Sequence, residues 1–491
     1  MNKGQKLTRI DIRVKIMSIL ILTLLCYSTH AQHIVVKSNT SVDRHDDGKG
    51  VVEIRHSTGK NSFNIEYKGE IATTDDDKDI KSISPGGYIE ISKTTFGSKR
   101  SIQIEATSNG LKREYYEGRS EVNYLPEGKK WLAEILPEVI RTTGIGAKDR
   151  VKRFYKKGGV DAVMAEINII ESDYVKSIYG GHLLEMDNLS DNELIKIAEG
   201  ISSQISSDYY LSEVLRKNSR QFLIKDNTST AYFNAVKHVG SDYYSTIILK
   251  EALKEHKPSQ VAIVKIMDAS KNIGSDYYQM TVLNDLLDDD LDPEALKAVV
   301  ATSRNIGSDY YQTQLLSKAL EKPNLPDESF IIVVDAMANV NSDYYMASVF
   351  SKMLDKPQTE AINMKIVSIM NTKLRSDYYA STVLSKMIKN QKLSDKTMES
   401  IASALQNLGS SNYAAAVIKN ASDQNLSKKS MLSLIQTASR IGSDYYASEA
   451  LSSLASQVKK SNDKELMEAY RAAAKNIHSD TYYGRAMRAI D

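Results

Sequence analysis

The chain has 491 residues, more than one ordinary core holds, so several domains or a repeat array are expected. Its 41% hydrophobic and 26% charged residues exclude a disordered chain, and a net charge of +2 lacks the basic excess of a dedicated nucleic-acid binder. Tyrosine is overused, at 28 against 7 Phe and 1 Trp, and Cys26 is the only cysteine.

The first stretch reads as an export signal over residues 1–31. Lys3, Lys6, Arg9, Arg13 and Lys15 form a basic region, residues 16–26 a short apolar run, and Thr29 and Ala31 the small residues before a cut between Ala31 and Gln32. The run is short for a transmembrane helix, although an uncleaved anchor is the alternative. A periplasmic, cell-surface or secreted location is expected. The processed chain would have no thiol for a disulfide, a nucleophile or a Cys-ligated metal.

Residues 32–125 alternate with period 2. Val52 and Ile54, then Phe63, Ile65 and Tyr67, then Ile89 and Ile91, then Ile102, Ile104 and Ala106 each place apolar side chains on one strand face. Asn109-Gly110 predicts a type I′ hairpin, and Pro85-Gly86-Gly87 another turn. A small antiparallel β domain with one face to cover is expected. Connecting helices follow over 126–170. Trp131, Leu132, Ile135, Leu136, Val139 and Ile140 make a helical stripe that covers the sheet, kinked at Pro137. A second helix over 148–157 ends at Gly158-Gly159, and a third spans 160–170. Lys148, Arg150, Lys152, Arg153, Lys156 and Lys157 read as a solvated basic face, or else as an anionic contact.

From residue 171 to 491 one motif returns, as in Gly274-Ser275-Asp276-Tyr277-Tyr278. Its serines are Ser172, Ser207, Ser241, Ser275, Ser308, Ser342, Ser376, Ser410, Ser443 and Ser479, with gaps of 35, 34, 34, 33, 34, 34, 34, 33 and 36 residues. Such a period is the signature of a solenoid. With serine as position 0, +1 is Asp except at Ser411. Position +2 is Tyr in Tyr174, Tyr209, Tyr243, Tyr277, Tyr310, Tyr344, Tyr378 and Tyr445, and Asn412 and Thr481 break the series. Position +3 is Tyr in all but Val175, and +7/+8 are aliphatic. Serine is read as an N-cap and Asp as a partner of the helix dipole. The preceding Gly, as in Gly240, Gly274, Gly307, Gly409 and Gly442, is read as a left-handed C′ residue. The other helix of each unit starts at the box Ser190–Glu193, at Asp292-Pro293, at Ser394 or at Ser427. The fold class is therefore α+β multidomain: a small antiparallel β domain, then an α-solenoid of about ten helical hairpins of ~34 residues.

These units resemble the helical hairpins of the HEAT and tetratricopeptide superfamilies. The tetratricopeptide Trp, Gly-Tyr and Pro landmarks are absent, which favours HEAT-like. The whole is similar to exported bacterial proteins that carry Ser-Asp-Tyr-Tyr units behind a small β domain. Such units are sometimes joined to membrane metallopeptidases of the BlaR kind. That resemblance implies an accessory or regulatory role beside an envelope peptidase or sensor. The peptidase part, with its His-Glu-x-x-His motif, is absent, so no catalytic residue carries over.

No catalytic elbow, P-loop or dinucleotide fingerprint occurs, and none of the histidines forms an i, i+4 pair, so no enzymatic activity and no cofactor are expected. Asp75, Asp77 and Asp79 resemble half a calcium loop, but Ile80 and Gly86 stand where Gly and Glu are required; a solvated acidic turn is the plainer reading. The +3 tyrosines flank the core face. The +2 tyrosines either pack between repeats or line an exposed edge, which makes Tyr209, Tyr243, Tyr277, Tyr310, Tyr344, Tyr378 and Tyr445 the partner-binding candidates. The expected function is an exported, non-enzymatic scaffold that binds a protein or peptide through the solenoid. A Ca²⁺- or glycan-binding surface is a further alternative.

Overall fold

Period-2 alternation builds the first part of the chain into a sheet. The computed structural model describes residues 41–46, 50–58, 61–255, 259–289, 291–323 and 325–491; the export signal expected over 1–31 lies outside them. The chain divides into two compact units, residues 1–214 and 215–491.

In the first unit, strands β1 (Ser41–Asp46), β2 (Val51–Thr58), β3 (Asn61–Lys68), β6 (Tyr88–Thr95), β7 (Ser98–Thr107), β8 (Gly110–Glu117) and β9 (Ser120–Val122) form one antiparallel sheet in the order 1-2-3-6-7-8-9. The short pair β4 (Ile71–Thr73) and β5 (Ile80–Ile83) forms a separate ribbon. Register places Ile54, Ile65, Ile91, Ile102 and Tyr115 in one row across five strands, all buried. Helix α1 (Lys129–Thr143) covers that face with Trp131, Leu132, Ile135, Leu136, Val139 and Ile140, which share one core with the strands. Full burial of each such aliphatic contributes about 1.5–3 kcal/mol, so the cover and the sheet fold as one structure. Pro137 lies inside α1 without interrupting it.

Two turns show how local chemistry operates. Gly87 is required sterically: a Cβ there would lie 2.6 Å from the Lys68 carbonyl oxygen. The β7–β8 hairpin is present, but not as a type I′ turn. Gly110 alone takes positive φ, at 111°, and already pairs with Thr107, so the reversal lies at residues 108 and 109. Helix α2 (Ala147–Ile169) contains the expected break, at Gly158 and Gly159, where Gly159 has φ 63° and ψ −153°.

A helix starts directly after each of the ten serines, for example Asp276–Leu286 after Ser275 and Asp309–Ala319 after Ser308. These are termed B helices. The A helices between them include Gln260–Ser270, Pro293–Thr302 and Asp327–Met337. Within the second unit, B helices stack on B helices and A on A, as in a solenoid. Positions +7, +8, +11 and +12 form the core, with Val282, Leu283, Leu286 and Leu287 fully buried. The A-helix starts follow their sequence signals. Ser190 and Glu193 complete a capping box, and Asp292, Ser394 and Ser427 each accept the N3 amide.

The motif serines cap less than their identity suggests. Ser275, Ser342 and Ser410 accept the +3 amide at 3.5 Å, and Ser308, Ser376, Ser443 and Ser479 make no side-chain cap. The glycine before the serine is also not a left-handed C′ residue. Gly274, Gly307, Gly409 and Gly442 do not have positive φ, and a Cβ on Gly274 would meet the Asp242 carboxylate at 3.6 Å, an ordinary contact. Asn341, Arg375 and His478 occupy the same position without strain.

Candidate functional site

The motif aspartates work between repeats. The Asp173 carboxylate accepts the backbone amides of Ser206 and Ser207, at 3.0 and 2.7 Å. Asp242 does the same for Gly274 and Ser275, at 2.9 and 2.8 Å, and Asp309 for Asn341 and Ser342, at 3.0 and 2.8 Å. Asp343 takes Arg375 and Ser376, and Asp444 takes His478 and Ser479. Each carboxylate thus satisfies the turn that begins the next unit's B helix, and charge-assisted bonds of this kind are the stronger class. The first-turn position still suits the helix dipole. The inter-repeat partner, one unit further along the chain, has no local signature. The signal that could have found it is the Asp at +1 of every unit but that of Ser411, set against the variable residue before each serine.

The clamp places the first turns of successive B helices side by side, and their tyrosines meet. From Tyr243 to Tyr378 each +2 ring packs at a steep angle on the +3 ring of its own unit and also against the +3 ring of the next. Tyr277 is 5.2 Å from Tyr278 and 5.7 Å from Tyr311; Tyr310 is 5.1 Å from Tyr311 and 5.9 Å from Tyr345. Tyr344 meets Tyr345 and Tyr379, and Tyr378 meets Tyr379 and Tyr413. These centroid distances suit attractive aromatic pairs. Packing does not bury the +2 rings. Tyr243, Tyr277, Tyr310, Tyr344, Tyr378 and Tyr445 remain 40–56% exposed, whereas Tyr209 is half-buried. At Tyr243, Tyr277, Tyr310, Tyr344, Tyr378 and Tyr445 both packing and exposure are therefore realised: the ring bridges two repeats and presents a face or edge to solvent. The +3 rings are half-buried rather than fully in the core, except Tyr210, which is buried. A cavity of about 260 Å³ opens between Tyr243, Ile247, Lys250, Tyr277, Tyr278 and Thr281. The series is interrupted where Ser411 and Asn412 replace both Asp and Tyr, resumes at Tyr445 with Tyr446 and Tyr482, and ends at Thr481.

The acidic turn and the basic helix face, read separately as solvated, are joined. Arg150 is only 1% exposed. Its Nη2 lies 2.8 Å from Asp77 Oδ2 and 3.0 Å from Glu166 Oε1, and its Nη1 donates to the Tyr179 hydroxyl. Burial pushes that hydroxyl up to about 12, so it is a neutral phenol able to accept the bond. Arg153 binds the other Asp77 oxygen at 2.5 Å, and Arg141 donates to the same Glu166 Oε1 at 3.0 Å and to Oε2 at 3.4 Å. Asp79 pairs with Arg113 at 3.2 Å, while Asp75 is 92% exposed and 3.6 Å from Arg153. Lys148, Lys152, Lys156 and Lys157 do face solvent. Burying a charge is expensive unless it is paired, which is why Arg150 and Asp77, 73 residues apart in sequence, found one another.

The same geometry bears on Asp75, Asp77 and Asp79 as cation ligands. Guanidinium groups occupy the lone pairs of Asp77 and Asp79, and among the described residues no group of three His, Cys, Asp or Glu could hold a metal ion. Calcium added to the full chain is expected to leave its unfolding temperature unchanged. Scanning calorimetry with and without millimolar CaCl₂ checks this, and a rise of several degrees would overturn it.

No family model matches the chain, and no curated protein does. Among solved structures, a computationally designed self-assembling cyclic homo-oligomer is similar over 67% of this chain and 93% of its own, at 14% identity and TM-score 0.13. The Chs5–Bch1 exomer cargo adaptor complex is similar over 82% of each chain, at 11% identity and TM-score 0.17. Among the described residues no helix is long and apolar enough to cross a membrane.

Proposed function

We propose that this protein is an exported, non-enzymatic scaffold that docks a partner polypeptide along the tyrosine edge of its solenoid. The observation that carries the reading is the run Tyr277, Tyr310, Tyr344 and Tyr378, four exposed rings in four consecutive repeats held in register by the aspartate clamps. Tyrosine joins a large apolar body to a polar tip and loses little conformational entropy on contact, which is why it is enriched at recognition surfaces. Solenoids present such residues as an extended row because each repeat adds one copy at a fixed offset. Export rests on the basic and apolar pattern of residues 3–26 and the small residues before Gln32.

The test is a triple variant of the full chain, Tyr310→Ala, Tyr344→Ala and Tyr378→Ala, immobilised beside the parent. A specific partner captured from the envelope fraction is expected to fall at least tenfold on the variant, while far-ultraviolet circular dichroism stays unchanged. Undiminished capture by a folded variant would sink the tyrosine edge as the docking surface.

A further inference from the structure

The last repeat places a cation beside this edge, and its position shows what the edge can hold. Between Tyr243 and Tyr278, the +3 ring of the next unit, opens the cavity that Thr281, at +6 of that next unit, helps to line; the corresponding place beside the other ring pairs is termed the notch. In the last unit +6 is Arg485. Its guanidinium carbon sits 5.7 Å from the Tyr445 ring centroid and 5.8 Å from that of Tyr482, and the group also pairs with Glu449. The notch is filled by a cation of the chain itself, at the separation where the ring quadrupole attracts positive charge.

Three earlier junctions have the same pair of rings without the cation. The Tyr277/Tyr311, Tyr310/Tyr345 and Tyr344/Tyr379 notches have ring separations of 5.7, 5.9 and 6.0 Å, close to the 5.5 Å of Tyr445/Tyr482. Position +6 there is Gln314, Ser348 and Thr382, all uncharged and exposed. The lysines further along these helices are already committed to the preceding repeat, Lys318 to Asp288, Lys352 to Glu321 and Lys386 to Asp355, each at 2.6 Å. They therefore add no unbalanced positive charge that would repel an incoming cation.

We infer that the open notches take arginine side chains of the partner, each stacked as Arg485 is stacked on Tyr445 and Tyr482. This rests on the tyrosine edge being the docking surface and names the chemistry of what docks there. Neighbouring helices pack about 8–10 Å apart. An extended polyproline II segment advances about 9 Å per three-residue turn, so arginines at every third position would meet successive notches from one side.

The experiment uses the full chain and a fluorescein-labelled peptide of four Arg-Pro-Pro triplets, read by fluorescence anisotropy, with a Gln-Pro-Pro peptide as its neutral counterpart. The arginine peptide is expected to bind at least tenfold more tightly than the glutamine peptide, and the triple tyrosine-to-alanine variant to lose that preference. A second variant keeps every tyrosine and plugs the notches from within: Gln314→Arg, Ser348→Arg and Thr382→Arg. It is expected to lose at least tenfold in affinity. A control with the same added charge on exposed A-helix positions, Ala301→Arg, Ser368→Arg and Ser403→Arg, is expected to lose less than threefold. Equal binding of the two peptides, or equal losses in the plugged and control variants, overturns the inference. Tyrosine-dependent capture of a partner alongside equal peptide binding would overturn this inference alone. Tyrosine-independent capture would remove the docking reading itself.

Discussion

Replacing Arg150 with methionine is expected to destabilise the first unit by about 3–5 kcal/mol, the usual range when one member of a buried ion pair is removed. The methionine would fill much of the volume, but Asp77 and Glu166 would remain in a site with little water and without their shared partner. Arg153 and Arg141 each approach one of these carboxylates and soften the loss without replacing the bridge. Arg150→Lys should lose less than methionine but more than a surface change, because an ammonium cannot reproduce the fork that reaches Asp77, Glu166 and Tyr179 together. Hydrogen exchange reads the result directly. Amides of residues 71–83 and of the first half of α2 should lose protection, while those of the sheet core change little. Adding Asp77→Asn and Glu166→Gln to the methionine variant should restore part of the stability, because the stranded charges are then gone. Protection unchanged in the single variant would show that the network does not hold the ribbon to the helix.

Removing one clamp should have the next largest effect. Asp309→Ala strands the amides of Asn341 and Ser342, and bonds to a charged group contribute about 1.5–3 kcal/mol each, less when partly solvated. About 2–3 kcal/mol of local stability is therefore expected to disappear. Because solenoid stability is a sum over neighbouring repeats, the loss should concentrate at the junction of two units. Exchange should quicken over residues 338–346 and remain near parental over residues 430–480. Asp309→Asn keeps one acceptor and should lose about half as much. The reverse change is available at the natural gap. Ser411 occupies the clamp position, with its Oγ 4.0 Å from where a Cβ on Gly442 would sit. Ser411→Asp is expected to stabilise the Ser410–Ser443 junction by about 1 kcal/mol, from the new bonds and the favourable first-turn charge. Slower exchange of the Gly442 and Ser443 amides is the readout. Uniform loss along the solenoid in Asp309→Ala, or no gain in Ser411→Asp, would remove the clamp as the register device.

Both effects belong to contacts with long sequence separation, and this separates what was legible in the chain from what was not. The solenoid and its hairpins were legible because their signals are local. A period near 34, an apolar stripe at 3–4 spacing, and caps such as Ser190–Glu193 and Asp292-Pro293 act within a turn or two of where they are written. The strands were legible from alternation, and their covering helix from the one stripe broad enough to close the face. Turn type was less secure, as the β7–β8 reversal shows: it falls at residues 108 and 109, one residue before the Asn109-Gly110 turn expected, and Gly110 carries its positive φ from inside the strand.

By itself the sequence determined the class of each element, the number of repeats and the positions from which the repeated side chains project, because propensity, capping and periodicity are properties of short segments. Tertiary structure alone decided the partner of each charge and ring. Nothing near Asp309 indicates that its carboxylate turns to Ser342 rather than to its own helix, or that Arg150 leaves a basic helix face to meet Asp77. Those choices are made where burial makes an unpaired charge or amide costly and only one partner lies within reach. The tyrosine edge combines the two. The sequence wrote a ring at +2 in eight of ten repeats, and the stacking of B helices set those from Tyr243 to Tyr378 against the next unit while leaving them half in water.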